Sequence, residues 1–208
     1  MRKWIIIAAL AATPAMLSAK GQSDWLAIEG RAAADIKQDE GRKVVAWNPA
    51  GFAGSDPIKA KWADIAVRAP AISYATGPFD SWSAPAKSYD FALFHLVYHD
   101  LYWQSDRFNV PKTDPDAVLK RLYVAMKPGG IVGVVDHVGA KGDTRATVDA
   151  VHRIDPEVVK ADFARAGFKL VGESQHLRTK DDDYAKNVFD PALRGKTDRF
   201  VFKFRKPK

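Results

Sequence analysis

Apolar and polar positions along the chain predict strands that alternate with helices. Runs of β-branched and aromatic residues predict buried strands over 44–47, 72–75, 89–98 and 131–135. Apolar residues at helical spacing predict helices over 57–69, 115–127 and 156–167. Each of the three helices is entered by an Asp-Pro pair, which supplies an N-cap and a first helical residue. The alternation predicts an α/β fold with a mainly parallel sheet.

The end of the chain departs from this alternation. Segments 169–172 and 199–204 are predicted strands with only the polar loop 178–198 between them, which favours an antiparallel hairpin. Pro128-Gly129-Gly130 is interpreted as the turn that stops a helix before the strand 131–135. The stretch from Asp136 to Asp155, which contains Gly139 and Gly142, is interpreted as a loop.

Residues 1–19 have the pattern of a secretory signal. Arg2 and Lys3 precede a short apolar run, and Leu17-Ser18-Ala19 supplies small residues at a cleavage point. A buried N-terminal helix or an uncleaved anchor are the alternatives. The predicted organisation is therefore a signal peptide over 1–19, a polar segment over 20–43 and an incomplete domain over 44–208. The predicted signal peptide implies that the protein is located in the periplasm or outside the cell.

Composition narrows the classes of function. The chain has 208 residues and no cysteine, which excludes a disulfide, a thiolate nucleophile and a zinc site with cysteine ligands. The net charge of +7 is spread along the chain apart from the basic C-terminal tail. Basic residues do not interleave with aromatic ones as in a nucleic-acid recognition module, so no nucleic-acid partner is expected. No segment after residue 19 is apolar enough to span a membrane, so no stable membrane anchor is expected.

Four blocks of sequence follow one another along the chain: "FALFHLVYHDLYW" (91–103), "MKPGGIVGVVDHVG" (126–139), "VHRIDPEVVKADFARAGF" (151–168) and "KTDRFVFKF" (196–204). In this order they resemble a bacterial family of predicted, often exported, class I methyltransferases that use S-adenosylmethionine. The resemblance implies a Rossmann-like sheet and a small-molecule substrate.

The family's first strand and its Gly-rich cofactor loop are predicted to be missing. Residues 31–43 resemble the family's entry segment, yet Lys43 runs directly into "VVAWNPAGF", which resembles its second strand. The resemblance therefore implies S-adenosylmethionine as cofactor, while the missing loop predicts weak or absent affinity for it. In one alternative, Val44–Trp47 takes the central position of the sheet and "NPAGFAG" replaces the lost loop.

The resemblance also assigns candidate residues for the cofactor. Asn48 occupies the ribose-binding position, where an acidic residue is usual, and Phe79 and Asp80 match the adenine-contacting position.

Candidate catalytic residues lie at or just beyond the carboxyl ends of the predicted strands 89–97 and 131–135. They are Tyr98, His99, Asp100, Asp136 and His137, with His99 as general base and Asp100 orienting it. His152 is interpreted as a structural residue of its loop, with a position in the cleft as the alternative, and His95 is interpreted as a core residue.

Two functions from different classes remain open at this stage. The first is methyl transfer to an unknown small molecule. The second is a non-catalytic periplasmic protein that binds a ligand or a metal, since His99, Asp100, Asp136 and His137 are suitable ligand types. No compact metal-binding motif supports the second function, and no metal site is predicted.

Overall fold

The computed structural model describes residues 2–8, 42–49, 72–108 and 110–208, together with the helical residues 60, 63–65 and 67. The strands are β1 (Arg2–Ala8), β2 (Arg42–Pro49), β3 (Ile72–Gly77), β4 (Tyr89–His95), β5 (Met126–His137), β6 (Lys169–Ser174) and β7 (Arg199–Arg205). The α-helices with defined bounds are α1 (Pro115–Ala125), α2 (Thr144–Val151) and α3 (Pro156–Arg165).

The strands form one sheet in the order β3-β2-β1-β4-β5-β7-β6. Strands β1 to β5 pair in parallel, and β7 runs antiparallel to both β5 and β6. The prediction of a mainly parallel sheet with an antiparallel C-terminal hairpin is therefore confirmed. The carboxyl ends of β1 to β5 lie along one side of the sheet, which we call the carboxyl edge. Ligands bind at this edge in open α/β sheets.

The central strand comes from the segment that the sequence analysis assigned to a signal. Strand β1 pairs with β2 on one side and with β4 on the other. Its Ile5 is 0% exposed and its Ile7 is 3% exposed. The prediction that the first strand is missing is wrong, and so is the central position for Val44–Trp47, because β2 lies beside β1. A short apolar, β-branched run suits a strand buried on both faces as well as it suits a signal.

Export and cleavage near Ala19 stay predictions, because the position of β1 does not test them. Residues 9–41, which would contain any cofactor loop after β1, lie outside the described part of the chain, as does most of "NPAGFAG". The sequence itself has no glycine between Ala8 and Gly21.

Aspartate caps begin the helices with defined bounds. Asp114 and Asp155 accept hydrogen bonds from backbone N–H groups of α1 and α3, which confirms both Asp-Pro starts. Helix α2 was not predicted, because Val148 is its only buried residue and little apolar periodicity marks it. Its signal is Asp143, which accepts from the Ala146 N–H at 3.1 Å. Among the residues that the structure describes, no helix is long and apolar enough to cross a membrane.

The helix α1 joins β5 without the predicted turn. Strand β5 begins at Met126, directly after α1, so Pro128-Gly129-Gly130 lies inside the strand. Gly129 has a φ of 78° and donates its N–H to the Lys206 carbonyl at 2.9 Å. A Cβ at Gly130 would lie 2.9 Å from the Lys127 carbonyl oxygen. The glycines thus permit a backbone path that replaces the expected turn.

Successive side chains of each strand point to opposite faces of the sheet, so the core is divided between the two faces. The larger cluster joins the face that bears Phe94 and Val134 to side chains of α1 and α3, such as Leu119 and Phe163. A smaller cluster on the opposite face is formed by Leu93, Val135 and Val201. This packing fixes the ends of β4 and β5, which carry the candidate site.

Candidate functional site

The candidate site lies at the carboxyl edge, where β4 and β5 end. After β4 the chain turns at Leu96, which has a φ of 55°, and continues into a 3₁₀-helix over His99–Leu101. Strand β5 ends at Asp136 and His137. The Leu96 N–H donates to the Val135 carbonyl at 2.8 Å and ties the two strand ends together. His99 is thereby held next to Asp136.

Asp136 fixes both the backbone and the ring of His99. Its Oδ2 accepts the His99 backbone N–H at 2.9 Å, and its Oδ1 lies 2.8 Å from His99 Nδ1. The same Oδ1 accepts the His137 backbone N–H at 2.8 Å. Asp136 is 0% exposed and His99 is 4% exposed. The predicted convergence of His99 and Asp136 is confirmed, but Asp136 rather than Asp100 makes the hydrogen bond that orients the ring.

The other ring nitrogen of His99 faces Asp100 and His152. His99 Nε2 lies 3.4 Å from Asp100 Oδ1, and this oxygen lies 3.9 Å from His152 Nδ1. His152 is the C-cap of α2 and has a left-handed backbone, with a φ of 52°. Nothing in the sequence marks that conformation, which explains why His152 was assigned to the loop. We call His99, Asp100, Asp136 and His152 the edge cluster.

Charges within the edge cluster shift the pKa values of its members. Burial opposes the charge of His99, but the carboxylates of Asp136 and Asp100 outweigh burial and raise its pKa to about 9. Burial likewise opposes the charge of Asp136, yet the His99 imidazolium lowers the pKa of that carboxyl. Burial raises the pKa of Asp100 to about 6, although the charge of His99 works against the rise. At neutral pH, a charged His99–Asp136 pair therefore lies beside a carboxylate that titrates near neutrality.

The neighbouring histidines are neutral at the same pH. Burial and the charge of His99 lower the pKa of His152 to about 4, and burial lowers that of His137 to about 3. The His137 ring lies 6.0 Å from the His99 ring, and its Nδ1 is 2.7 Å from Thr197 Oγ1. His137 thus borders the edge cluster while Thr197 fixes its ring. His95 at the end of β4 is half-buried, and burial lowers its pKa to about 4.

Tyr98 lies outside the edge cluster. Its hydroxyl donates to Asp162 Oδ2 at 2.7 Å, and the Tyr102 hydroxyl donates to the same oxygen at 2.6 Å. The Tyr98 ring is 0% exposed and packs against Phe94 and Phe163. Tyr98 was predicted to line the cleft together with His99. This prediction is wrong, because the Tyr98 ring points into the core beneath α3.

Aromatic side chains cover the His152 side of the edge cluster. The ring centroid of Trp103 lies 5.1 Å from that of His152, and the centroid of Phe189 lies 5.0 Å from it. Phe189 belongs to segment 178–198, the predicted polar loop. Asn187 in this segment donates from Nδ2 to the Ala150 carbonyl at 3.0 Å, which holds the segment against the end of α2.

Ion pairs hold segment 178–198 in place. Arg153 bonds to both carboxylate oxygens of Asp182, at 2.7 and 2.8 Å, and both side chains are 0% exposed. Arg178 bonds to both oxygens of Asp198 at 2.8 and 2.9 Å. The Asp198 N–H donates to Asp182 Oδ2 at 2.6 Å and links the two pairs. The cover over the edge cluster is therefore fixed by buried charges despite its polar composition.

The residues predicted to hold the cofactor lie farther along the carboxyl edge. Asn48, near the end of β2, is 2% exposed and pairs in register with Thr76 of β3. Phe79 and Asp80 lie in a short 3₁₀-helix after β3. The Phe79 ring is 4% exposed and packs 5.2 Å from Trp47, so it is a core ring. Asp80 is exposed and is the side chain of this pair that a ligand can reach.

A cavity of about 320 Å³ lies beneath the connection from β3 to β4. Trp47, Trp82 and Tyr89 contribute aromatic walls, and Gly77 lies at the end of β3. The volume is at the lower end of the range for small-ligand sites. None of the residues predicted for the cofactor or for catalysis is among the described residues that line this cavity, but Trp47 and Ser81 in its wall are sequence neighbours of Asn48 and Asp80.

The fold is that of class I methyltransferases that use S-adenosylmethionine. The (4+2)-cyclase SpnF matches with a TM-score of 0.59 and 16% identity, over 99% of this chain and 74% of its own. The N-methyltransferase NodS from Bradyrhizobium japonicum WM9, in complex with S-adenosyl-L-homocysteine, matches with a TM-score of 0.57 and 12% identity, over 100% and 79%. A methyltransferase from Mesorhizobium loti that depends on S-adenosylmethionine matches with a TM-score of 0.54 and 14% identity, over 98% and 90%.

At these identities the similarity shows the fold alone. No protein-family profile matches the chain, and no curated protein matches it at a significant level. The similarity to a cyclase as well as to methyltransferases illustrates that one fold hosts different reactions. Function therefore has to be argued from the site.

Proposed function

We propose that this chain is a methyltransferase that uses S-adenosylmethionine and acts on a small molecule. The observation that carries the proposal is the buried edge cluster, which lies at the carboxyl ends of β4 and β5 in a sheet with the methyltransferase fold. Open α/β sheets bind ligands at this edge. The cover formed by Trp103 and Phe189 favours a small substrate over a polymer.

The chemistry assigned to the edge cluster is removal of a proton from the acceptor. S-adenosylmethionine, when bound, supplies a methyl group attached to a sulfonium sulfur. An acceptor hydroxyl or amine releases a proton as it is methylated, and Asp100 accepts that proton in this proposal. With a pKa of about 6, Asp100 is ionised at neutral pH and close to the optimum for a general base.

His99 becomes the positioning residue in this scheme. His99 was predicted from sequence to be the base, but an imidazole with a pKa of about 9 already carries its proton at neutral pH. Its Nε2 lies 3.4 Å from Asp100 Oδ1 and holds that carboxylate in place, while Asp136 holds the ring. We therefore assign the role of general base to Asp100 instead of His99.

Asn48 and Asp80 are the side chains proposed to hold the cofactor. The Asn48 amide has both a donor and an acceptor for ribose hydroxyls, although it lacks the charge of an acidic residue. Because no glycine lies between Ala8 and Gly21, a close approach of the backbone after β1 is disfavoured. Each lost hydrogen bond to a charged group costs about 1.5–3 kcal/mol, so we propose that the affinity is weak.

A calorimetric titration with S-adenosylhomocysteine tests cofactor binding. We expect weak one-to-one binding that Asn48→Ala abolishes and that Asp181→Asn, an exposed control, leaves unchanged. An absence of binding at every attainable concentration, or equal binding by Asn48→Ala, contradicts the proposal.

Transfer of a labelled methyl group to the small-molecule fraction of a cell extract tests the chemistry. We expect Asp100→Asn to lower the rate by about 10²-fold or more, since it removes the base, while Asp181→Asn has no effect. Equal rates for Asp100→Asn and the unchanged chain contradict the role of Asp100.

The alternative function is that of a non-catalytic periplasmic protein that binds a ligand or a metal. It requires cleavage near Ala19, which would remove β1 and with it the central strand. N-terminal sequencing of the protein recovered from its host separates the two functions. A chain that begins before β1 supports the methyltransferase, and a chain that begins after Ala19 supports the alternative.

A further inference from the structure

We infer that the edge cluster binds a divalent transition-metal ion, with His99, Asp100 and His152 as its ligands. This inference goes beyond the proposed function, because it requires neither the cofactor nor methyl transfer. It also differs from the grouping considered in the sequence analysis, because His152 is a ligand and Asp136 is not.

The spacing of the candidate ligand atoms supports the inference. One ligand atom from each of the three residues lies within 4.8 Å of the other two. Bonds of about 2.0–2.1 Å to a tetrahedral zinc ion place ligand atoms roughly 3.3 Å apart. His99 Nε2 and Asp100 Oδ1, at 3.4 Å, already have this spacing. His152 Nδ1, at 3.9 Å from the same oxygen, needs only a small approach.

Asp136 supplies the outer support that histidine ligands of metals usually have. Such ligands typically bond to a carboxylate through the ring nitrogen that does not face the metal, which fixes the ring and its tautomer. Asp136 Oδ1 lies 2.8 Å from His99 Nδ1 and so directs Nε2 toward Asp100. Asp136 is in turn held by the His99 and His137 N–H groups, so the support is rigid.

The identity of the ligands selects the class of ion. Two imidazole nitrogens and one carboxylate oxygen suit zinc and its first-row neighbours, whereas magnesium and calcium prefer oxygen ligands alone. Three protein ligands leave a coordination position open, as in catalytic rather than structural sites. The side chain of His152 is 13% exposed, against 5% for His99 and 4% for Asp100, so the ion enters from the side of His152.

A metal ion and the proposed base use the same atoms. A bound ion would displace the proton of His99 Nε2 to the solvent and occupy that nitrogen together with Asp100 Oδ1, so Asp100 would no longer accept a proton. Zinc is therefore expected to compete with the proton-accepting role of Asp100, and metal binding is measured separately from methyl transfer.

Competition between the full-length, untagged, chelator-treated chain and a chromogenic zinc chelator tests the inference. We expect one zinc ion per chain. His152→Gln and Asp100→Asn should each weaken binding at least tenfold, and Asp136→Asn by about 10–100-fold, as for other supports of metal ligands. His176→Gln, which changes an exposed histidine, is the matched control and should bind as the unchanged chain does.

A cobalt spectrum provides a second readout. Co²⁺ should give visible ligand-field bands that His152→Gln weakens or removes. Because His152 caps a helix end and is partly exposed, His152→Gln is expected to fold, and its circular dichroism verifies this. If the folded His152→Gln binds zinc as tightly as the unchanged chain, or if His176→Gln weakens binding equally, the inference is overturned.

Discussion

The two halves of the sheet are held together in different ways. In the half formed by β4 to β7, buried side-chain bonds join elements far apart in the chain, such as His99 to Asp136 and Arg153 to Asp182. Strand β1 in the other half is held by strand pairing on both sides and by burial of Ile5 and Ile7. The Lys3 N–H donates to Asp90 Oδ2 at 2.8 Å and connects β1 to the start of β4.

The two halves of the sheet carry different parts of the proposed function: one carries the proposed proton transfer and the other the proposed cofactor residues. The edge cluster belongs to the half with buried polar bonds, so its geometry is set locally. The proposed cofactor residues Asn48 and Asp80 lie beyond β1 in the sheet order, so their position relative to the edge cluster depends on β1. The strand on which this relation rests is also the one whose sequence resembles an export signal.

The largest effect is expected from removal of residues 1–19. The shortened chain loses β1, which leaves β2 and β4 with unpaired edges in the middle of the sheet. We expect loss of the cooperative unfolding transition in urea, followed by circular dichroism. A chain that starts at Lys20 and unfolds at the same midpoint would show that the two halves do not depend on β1.

The next largest effect is expected from Asp136→Ala in the edge cluster. It leaves the His99 charge buried without its partner, which costs about 3–5 kcal/mol of unfolding free energy. Asp116→Asn, which removes an exposed ion pair with Arg165, is the control and should cost about 1 kcal/mol or less. Equal losses for the two variants would contradict the buried pair as the feature that stabilises this half.

Ile5→Ala tests the apolar packing of β1 without deleting it. Ile5 is 0% exposed, so truncation should cost about 2–5 kcal/mol in urea unfolding. Val67→Ala is the control, because Val67 is 83% exposed and its truncation should change stability by about 0.5 kcal/mol or less. An Ile5→Ala chain as stable as Val67→Ala would remove β1 from the core.

The smallest effect, taken per pH unit, is a dependence of stability on pH that comes from His99. Its pKa in the fold is about 9, above its ordinary value of 6.5, so its contribution is complete below pH 6.5 and is lost as pH rises through 9. Within this window the unfolding free energy should fall by up to about 1.4 kcal/mol per pH unit. His99→Gln should flatten this slope, and an unchanged slope would contradict the charged pair.

His152 and His137, which lie beside His99, act in the opposite direction and at lower pH. The pKa of His152 is about 4 and that of His137 is about 3, so both stay neutral in the fold but gain protons in the unfolded chain below pH 6.5. Their contributions to the unfolding free energy are lost as pH falls below 6.5. The combined contribution of His99, His152 and His137 to the unfolding free energy should therefore be greatest near pH 6.5, between the loss of the latter two and that of His99.

Much of the half formed by β4 to β7 could be predicted from sequence because its signals are local. The apolar run that ends at Asp136 predicted a buried strand, and the caps Asp114 and Asp155 predicted helix starts. The convergence of His99 and Asp136 followed from parallel strands joined by a right-handed crossover, which places their ends side by side.

Two kinds of feature could not be predicted from sequence. They are backbone turns that no sequence signal marks, and a segment whose pattern fits two structures. The 3₁₀-helix over His99–Leu101 separates the directions of Tyr98 and His99, and the left-handed backbone of His152 brings its ring to Asp100. Neither turn has a marker in the sequence. Strand β1 was missed because basic residues followed by an apolar run suit both a signal and a buried central strand.

The central claim is that Arg2–Ala8 completes the sheet whose carboxyl edge carries the site. Hydrogen exchange of the full-length chain, read by mass spectrometry, tests it directly. Because β1 is paired on both sides, we predict that amides of residues 2–8 exchange as slowly as those of β4. Exchange of residues 2–8 at the rate of an unstructured peptide, with β4 still protected, would contradict the claim.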